Sequence, residues 1–470
     1  MISTLGKNTF VIGKNSQGIK FQATSLHLTR YQIVFEIYNI YSVIQLSEVL
    51  TEFQIILGEQ ILYSGRATVS NLVNTGIVLI CEATLENSWL NIDFFFTHPK
   101  YQIELEFDHF LKEFEKTNTI IPEFKVIIAD IYVLLVELRQ WLEQIEFQLQ
   151  TNSPKLQPQL EQETIQKLEK PFLETTYHLF SRFEKITQII QPELQSIHRI
   201  YAQRQLHSLI LCSPFMHRIF HKPLGYAGDY EMVRMILGNP FIGSSLFSKM
   251  INFFFWKTPP AEAHRNRIQY LIQQIENETY KLSLKKKRIR VFNLGCGPAQ
   301  EVQHFLSQSS VRDAEFTLVD FNDETLNYVQ NLVRALKTQN HFQSDIHFIK
   351  KSVTQLLKES FKSNEITTNS YDLIYCAGLF DYLSDKICKQ LMNFFYTQLA
   401  PNGLLVVTNV HTSNPSKSIM EYFAEWFLIY RNEQQLSALA PDCIKPQQVN
   451  VLSDSTGVNI FMEIRKSDHD

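Results

Sequence analysis

Hydrophobic positions fall into three successive rhythms along the 470 residues. Through residues 1–100, apolar residues alternate with polar ones or run in short β-branched stretches. RYQIVFEIYNI, FQIILGEQILYSGRATVSNLV and TGIVLICEATLE show the pattern, with LGEQ, YSG and VNTG at the turns. A period of two bounded by such turns predicts short strands, and strands this closely spaced predict a small barrel or sandwich. Over residues 101–280 the period lengthens. Ile128, Ile131, Leu135, Leu138, Leu142, Ile145 and Leu149 are separated by three and four residues in turn, a heptad seam on one helix. TNSPKLQPQLEQE (Thr151–Glu163) breaks it with two prolines, and a second apolar helical stretch follows from Ile165 to Ile190. Two helices joined by a short polar loop predict an antiparallel hairpin, with a homodimer seam as the alternative. Over residues 281–470 strand and helix patterns alternate. IRVFNLG, EFTLVDF, IHFIKK, YDLIYCAG and LLVVTNV read as strands, and VNVLSDSTGVNIFMEIRK as a terminal hairpin. This predicts a doubly wound α/β sheet whose last strand, coming from a hairpin, runs antiparallel.

Composition narrows the partners. A net charge of −4 excludes broad electrostatic capture of nucleic acid. The basic run KLSLKKKRIR (Lys281–Arg290) leads into a strand and reads as a solvated helix end. The most apolar helix carries Asp130, Glu137 and Arg139, which makes a membrane crossing costly, and no apolar leader opens the chain. A cytoplasmic location is the expectation. The six cysteines, Cys81, Cys212, Cys296, Cys376, Cys388 and Cys443, are scattered without zinc spacing, so reduced thiols and no metal are expected.

Candidate chemistry centres on NLGCGPAQEV (Asn293–Val302), at the junction of a predicted strand and helix. A dinucleotide loop wants a third glycine where Gln300 stands, and Pro298 has no N–H to offer a phosphate. S-adenosylmethionine carries no phosphate and tolerates alanine in the third small position, so Gly295-x-Gly297-x-Ala299 suits it. Asp320, 23 residues beyond Gly297, closes the next strand, where a carboxylate accepts both ribose hydroxyls.

FNLGCGPA, LVDF, YDLIYCAGLFDYL and LAPNGLLVVTNV, in this order, resemble the motifs of class I SAM-dependent methyltransferases. The resemblance implies that Asn293, Gly295, Cys296, Gly297 and Ala299 face the cofactor, and that Asp320 and Phe321 lie by the ribose. It places Ser352 and Val353 by the adenine, and Cys376, Ala377 and Gly378 at the methyl-transfer mouth. Asn293 and Ser352 depart from the family, each standing where an acid is usual. The order GYAGDY, AHRNR, LGCGPA further resembles a bacterial group that makes 3-hydroxypalmitic acid methyl ester, which implies methylation of a fatty or other small carboxylic acid. The front strands resemble a degenerate PilZ-like barrel. Arg30 lacks a paired arginine and NLVNTG (Asn71–Gly76) matches loosely, so no nucleotide sensing is expected.

A carboxylate needs no general base, but it needs a cation. Arg265 and Arg267 are the candidates, with Lys222 and His264 behind them. Tyr226, Tyr230 and Tyr382 could orient the substrate. In HKPLGYAGDYEMV (His221–Val233), Gly225 and Gly228 read as turn positions and Asp229 as a helix cap, which is compatible with a site role. His411 is a base only if a partner orients it. MINFFFWK (Met250–Lys257) reads as core rather than acyl pocket. A protein methyltransferase docked through the β-domain and a non-catalytic SAM-binding scaffold remain as alternatives.

Overall fold

The alternation in the first hundred residues closes on itself. The computed structural model describes residues 9–29, 31–37, 44–57, 60–74, 78–86, 107, 111, 120–151, 156–340, 343–362 and 370–467. Six strands, β1 (Thr9–Lys14), β2 (Lys20–Leu28), β3 (Gln32–Ile37), β4 (Val49–Leu57), β5 (Gln60–Asn74) and β6 (Leu79–Leu85), form a closed barrel in the order β1-β2-β3-β6-β5-β4. Every neighbouring pair is antiparallel. Inward positions such as Val11, Ile33, Phe35, Phe53, Ile55 and Cys81 are fully buried, which removes the free edge a sandwich would keep. The β1–β2 hairpin is absent from the strands expected above. Its turn is made by Asn15, whose side chain accepts the N–H groups of Gln17 and Ile19, with Gly18 at φ +75°. Arg30, and Thr75 and Gly76 of NLVNTG, lie outside the described residues.

The heptad seam is satisfied within the chain. Helices α1 (Pro122–Gln150) and α2 (Gln157–Thr187) pair antiparallel: Asp130 near the start of one meets Arg182 near the end of the other at 3.1 Å. Phe124 and Phe183 pack with ring centroids 5.8 Å apart. Ile128, Ile131, Leu135 and Leu142 are buried along α1. Next come α3 (Gln195–Ile210), α4 (Pro214–His221), α5 (Tyr230–Leu237), α6 (Leu246–Trp256) and α7 (Pro259–Ser283). Phe253, Phe254 and Phe255 of α6 are core side chains, and Phe254 packs on Phe172 and Phe180.

The third rhythm gives a seven-stranded sheet with helices α8 (Gln300–Gln308), α9 (Asp323–Asn340), α10 (Val353–Lys362), α11 (Asp385–Gln398), α12 (Lys417–Phe423) and α13 (Glu433–Ser437) in its connections. Its strands are β7 (Ile289–Leu294), β8 (Ala314–Asp320), β9 (Asp345–Lys350), β10 (Tyr371–Cys376), β11 (Leu399–Val410), β12 (Val449–Ser453) and β13 (Asn459–Arg465), in the order β12-β13-β11-β10-β7-β8-β9. β7 to β11 are parallel, and β13 runs antiparallel to both its neighbours, as a hairpin strand must. From β7 the chain winds outward through β8 to β9, then returns to β10 on the other side of β7. The reversal opens a crevice at the carboxyl ends of β7 and β10, where open α/β sheets bind ligands.

The described chain forms two compact units. One comprises residues 1–227, 239–258 and 415–427; the other comprises 228–238, 259–414 and 428–470. Among the described residues no helix is long and apolar enough to cross a membrane.

Candidate active site

β7 is buried along most of its length, so its end delivers the glycine loop from a rigid support. Gly295 (φ +72°) and Gly297 (φ +51°) take left-handed conformations that favour glycine. The N–H groups of Gly295 and Cys296 donate to the Val319 carbonyl at 2.8 and 3.1 Å, tying the loop to the end of β8. Ala299 is also left-handed (φ +48°) with its methyl fully buried, and α8 begins directly after it. A Cβ built on Gly297 would meet nothing within 4 Å, so the backbone there faces open space. Asp320 closes β8. Its carboxylate accepts the N–H of Gly297 at 3.2 Å and of Asn322 at 3.0 Å. Burial raises its pKa to about 6, against the lowering effect of these bonds and one from the Phe321 backbone.

An acid eight residues beyond Asn293 lies against it. Asn293 is buried and donates its amide to Glu301 Oε1 at 3.3 Å, and Tyr375 donates its hydroxyl to the same oxygen at 2.8 Å. Glu301 lies in the first turn of α8, buried, and burial raises its pKa while its hydrogen bonds and Arg267 oppose the rise. The Asn293 amide is thus committed to Glu301. The sequence reading missed Glu301, although it stands inside the quoted stretch. The signal was a motif lacking its charge, with an acid just beyond the turn.

The two arginines of AHRNR diverge. Residues two apart on a helix face apart. Arg265 pairs with Glu262 at 2.8 Å and reaches toward the Ile236 carbonyl on α5. Arg267 is buried and donates to His264 Nε2 at 2.7 Å. Burial and both arginines hold His264 far below its usual pKa, so the ring is a neutral acceptor. A Cβ on Gly378 (φ +82°) would lie 2.7 Å from Arg267 Nη1. Gly378 is therefore demanded twice, by its backbone and by the guanidinium seated on it. Asp381, Tyr382, Glu301 and Cys376 all lie in the field of this cation, which places it at the sheet reversal.

Asp381 is buried, accepts the Val410 N–H at 2.7 Å, and receives the Ile429 N–H on its carbonyl. Arg431 is fully buried. It donates to Asp385, to the carbonyls of Phe380 and Leu383, and to Asn409 Oδ1. Together they fix the loops leaving β10 and β11. Cys296 and Cys376 are buried thiols with strongly raised pKa values, dominated by burial. Ser352 caps α10, accepting the Gln355 N–H at 3.3 Å, and Val353 opens that helix. His411 has a partner after all: Nε2 lies 3.3 Å from Glu433 and Nδ1 2.6 Å from the Ser413 hydroxyl.

The remaining candidates lie on other segments. Tyr230 donates to Glu324 at 2.9 Å and stacks on Tyr328 of α9. Asp229 caps α5 through the Met232 N–H at 2.8 Å, and Gly225 and Gly228 have positive φ, as the turn reading expects. Tyr226 and Lys222 belong to the first unit, where the Lys222 ammonium is buried against the carbonyls of Ala424 and Glu425.

Residues 285–463 match the model of a protein family described as a methyltransferase domain. No curated protein matches the chain. Similar solved structures include a possible exported protein from Bordetella parapertussis, 15% identical over 63% of this chain and 96% of its own, with a TM-score of 0.42. Magnesium protoporphyrin IX methyltransferase from Synechocystis, with bound SAH, is 11% identical over 50% of this chain and 92% of its own, TM-score 0.34. N-methyltransferase NodS from Bradyrhizobium japonicum, also with S-adenosyl-L-homocysteine, is 14% identical over 50% and 97%, TM-score 0.29. Likenesses this distant decide nothing about the substrate.

Proposed function

We propose that this S-adenosylmethionine-dependent methyltransferase transfers its methyl group to the carboxylate of a small or fatty acid, giving a methyl ester. The observation that carries the reading is Arg267. Among the described residues this buried guanidinium forms no ion pair, and its hydrogen-bond partner is a neutral imidazole. A cation left so at a ligand crevice suits an incoming carboxylate.

The residues present fit the donor. Gly295, Gly297 and Ala299 would hold it along the loop, where a ligand finds open space before Gly297. Asp320 and Phe321 would meet the ribose, Ser352 and Val353 the adenine, and Cys376, Ala377 and Gly378 the transfer mouth. When bound, the sulfonium supplies an electrophilic methyl group. The protein's part is to align the acceptor oxygen and exclude water. A carboxylate arrives already nucleophilic. That matches a crevice whose thiols are held protonated by burial and whose His264 lone pair is occupied by Arg267.

The field of Glu301 at Arg267 supports a second reading. In it the guanidinium holds the donor's own carboxylate, and the acceptor is of another class, such as a protein docked through the barrel. Calorimetry with S-adenosylhomocysteine on Arg267→Gln separates the two. Affinity within twofold of the parent, with a raised KM for the acid, supports the acceptor clamp; a tenfold loss supports the donor clamp. Labelled SAM incubated with lipid extract should then yield labelled methyl ester. Label found only in protein would overturn the ester reading.

A further inference from the structure

A cavity of about 420 Å³ lies inside the first unit, between one end of β5 and β6 and the helices α3 and α4. That volume falls in the range of small-molecule sites, roughly 300–1,000 Å³. Its floor is Thr68 and Thr84, which face each other across the β5–β6 pair, with Arg66 beside them. Its roof is one face of α3, including Arg204 and His207, and His221 closes the side.

The charges around the cavity point to an anion. Arg66 Nη2 donates to the His221 carbonyl at 2.5 Å, and Arg204 lies over the Tyr31 ring, 4.9 Å from its centroid, bonded to its hydroxyl. Among the described residues neither guanidinium is paired with a carboxylate. Two acids also line the cavity. Glu425 lies in the field of the buried Lys222 ammonium and accepts from Gln203, whereas Glu86 is exposed at the rim. Lys222 is itself held down to about 8, first by burial and then by Arg66 and Arg199, against the pull of Glu425. Positive charge is thus in excess around the cavity. His207 is held neutral by burial, at about 4, and its Nε2 lies 3.2 Å from the Phe423 carbonyl, so that nitrogen carries the proton. Thr84 is 4% exposed and contributes to the floor as a packed side chain.

We propose that this cleft binds a small organic anion, a carboxylate or phosphate carried on an apolar body, with the acid group between Arg66 and Arg204. Leu85, Ile200 and Phe220 supply the apolar wall for the body. The site is separate from the glycine loop and does not depend on the identity of the methyl acceptor.

Calorimetry on the full chain with phenyl phosphate, benzoate and inorganic phosphate tests it. Phenyl phosphate or benzoate should bind saturably, at least tenfold tighter than inorganic phosphate, and whichever binds tighter names the acid group. Arg66→Ala and the exposed Arg204→Ala should each weaken that binding tenfold or more. Circular dichroism and urea unfolding of the same variants report that each is folded. Equal binding of inorganic phosphate, no saturable binding of either aromatic probe, or binding indifferent to Arg66→Ala and Arg204→Ala overturns the proposal.

Discussion

The glycine loop and the barrel cleft offer a ligand different materials. The loop offers backbone: two left-handed glycines and a left-handed alanine, braced by Val319 and Asp320, all within a few residues of each other. Its buried polar groups already have partners, as Asn293, Tyr375 and Glu301 do. The cleft offers side chains drawn from positions 31 to 425. A site made of contiguous backbone is rigid before a ligand arrives. A site made of distant side chains depends on whatever holds those segments together, so the two should respond differently to mutation and to pH.

The largest effect is expected at Arg431. Removing a buried guanidinium strips donors from the carbonyls of Phe380 and Leu383 and from Asn409. Each orphaned acceptor costs about 1–3 kcal/mol, so Arg431→Met should lose ~4 kcal/mol in urea unfolding and release the Gly378 loop. Asp385 adds little to this, because its side chain is 75% exposed. An unchanged midpoint would show that the loop after β10 is rigid without this brace, which would widen the contrast with the cleft.

Glu184 probes the other region. Its carboxylate accepts the N–H groups of Ser418 and Ile419 at the start of α12, the helix that leads to Glu425 of the cleft. Burial raises its pKa to about 7 from an ordinary 4.5. The folded state therefore holds the proton more tightly than the unfolded chain. The stability this contributes is fully present below about pH 4.5 and is lost as pH rises through 7. The loss is on the order of 3 kcal/mol across that window. In Glu184→Gln this part of the pH slope should vanish, and an unaltered slope would assign it to another buried group such as Glu48, also raised to about 7 by burial.

At the loop the same physics has the opposite consequence for a ligand. Asp320 titrates near 6 because it is buried, so its own contribution to stability is also lost as pH rises through 6. On the proposed reading the ribose hydroxyls need the ionised carboxylate as acceptor, so donor affinity should rise with pH through 6 and level off above 7. Asp320→Asn should cost about thirtyfold in S-adenosylhomocysteine affinity, ~2 kcal/mol, and abolish that pH dependence in calorimetry.

How far each region was legible follows from the same contrast. The loop's glycines, Ala299 and Asp320 stand in one short run and at one strand end, so periodicity and spacing were enough to locate them. Glu301 was overlooked because bringing it to Asn293 takes the turn through Ala299, which spacing alone does not specify. The first hairpin was missed because its turn depends on one asparagine side chain. No local pattern marks residues 415–427 as packing with Ser47, Glu184 and Gln203, because those partners lie hundreds of residues away. The cleft is invisible in the sequence for that reason: Arg66, Arg204 and Glu425 share no motif.

The smallest effect tests whether Ser352, which stands where the methyltransferase motifs that the chain resembles usually carry an acid, serves the fold or the ligand. Its hydroxyl accepts the Gln355 N–H while the Gln355 side chain accepts the Ser352 N–H, a reciprocal cap on α10. Ser352→Ala should therefore lose ~1 kcal/mol of stability and leave S-adenosylhomocysteine affinity within twofold. Aspartate caps helices as well as serine does and also offers a charged acceptor, so Ser352→Asp should keep the stability and tighten donor binding a few-fold in calorimetry. If Ser352→Ala instead weakens the donor while stability holds, the hydroxyl faces the ligand. The loop would then share the cleft's reliance on side chains.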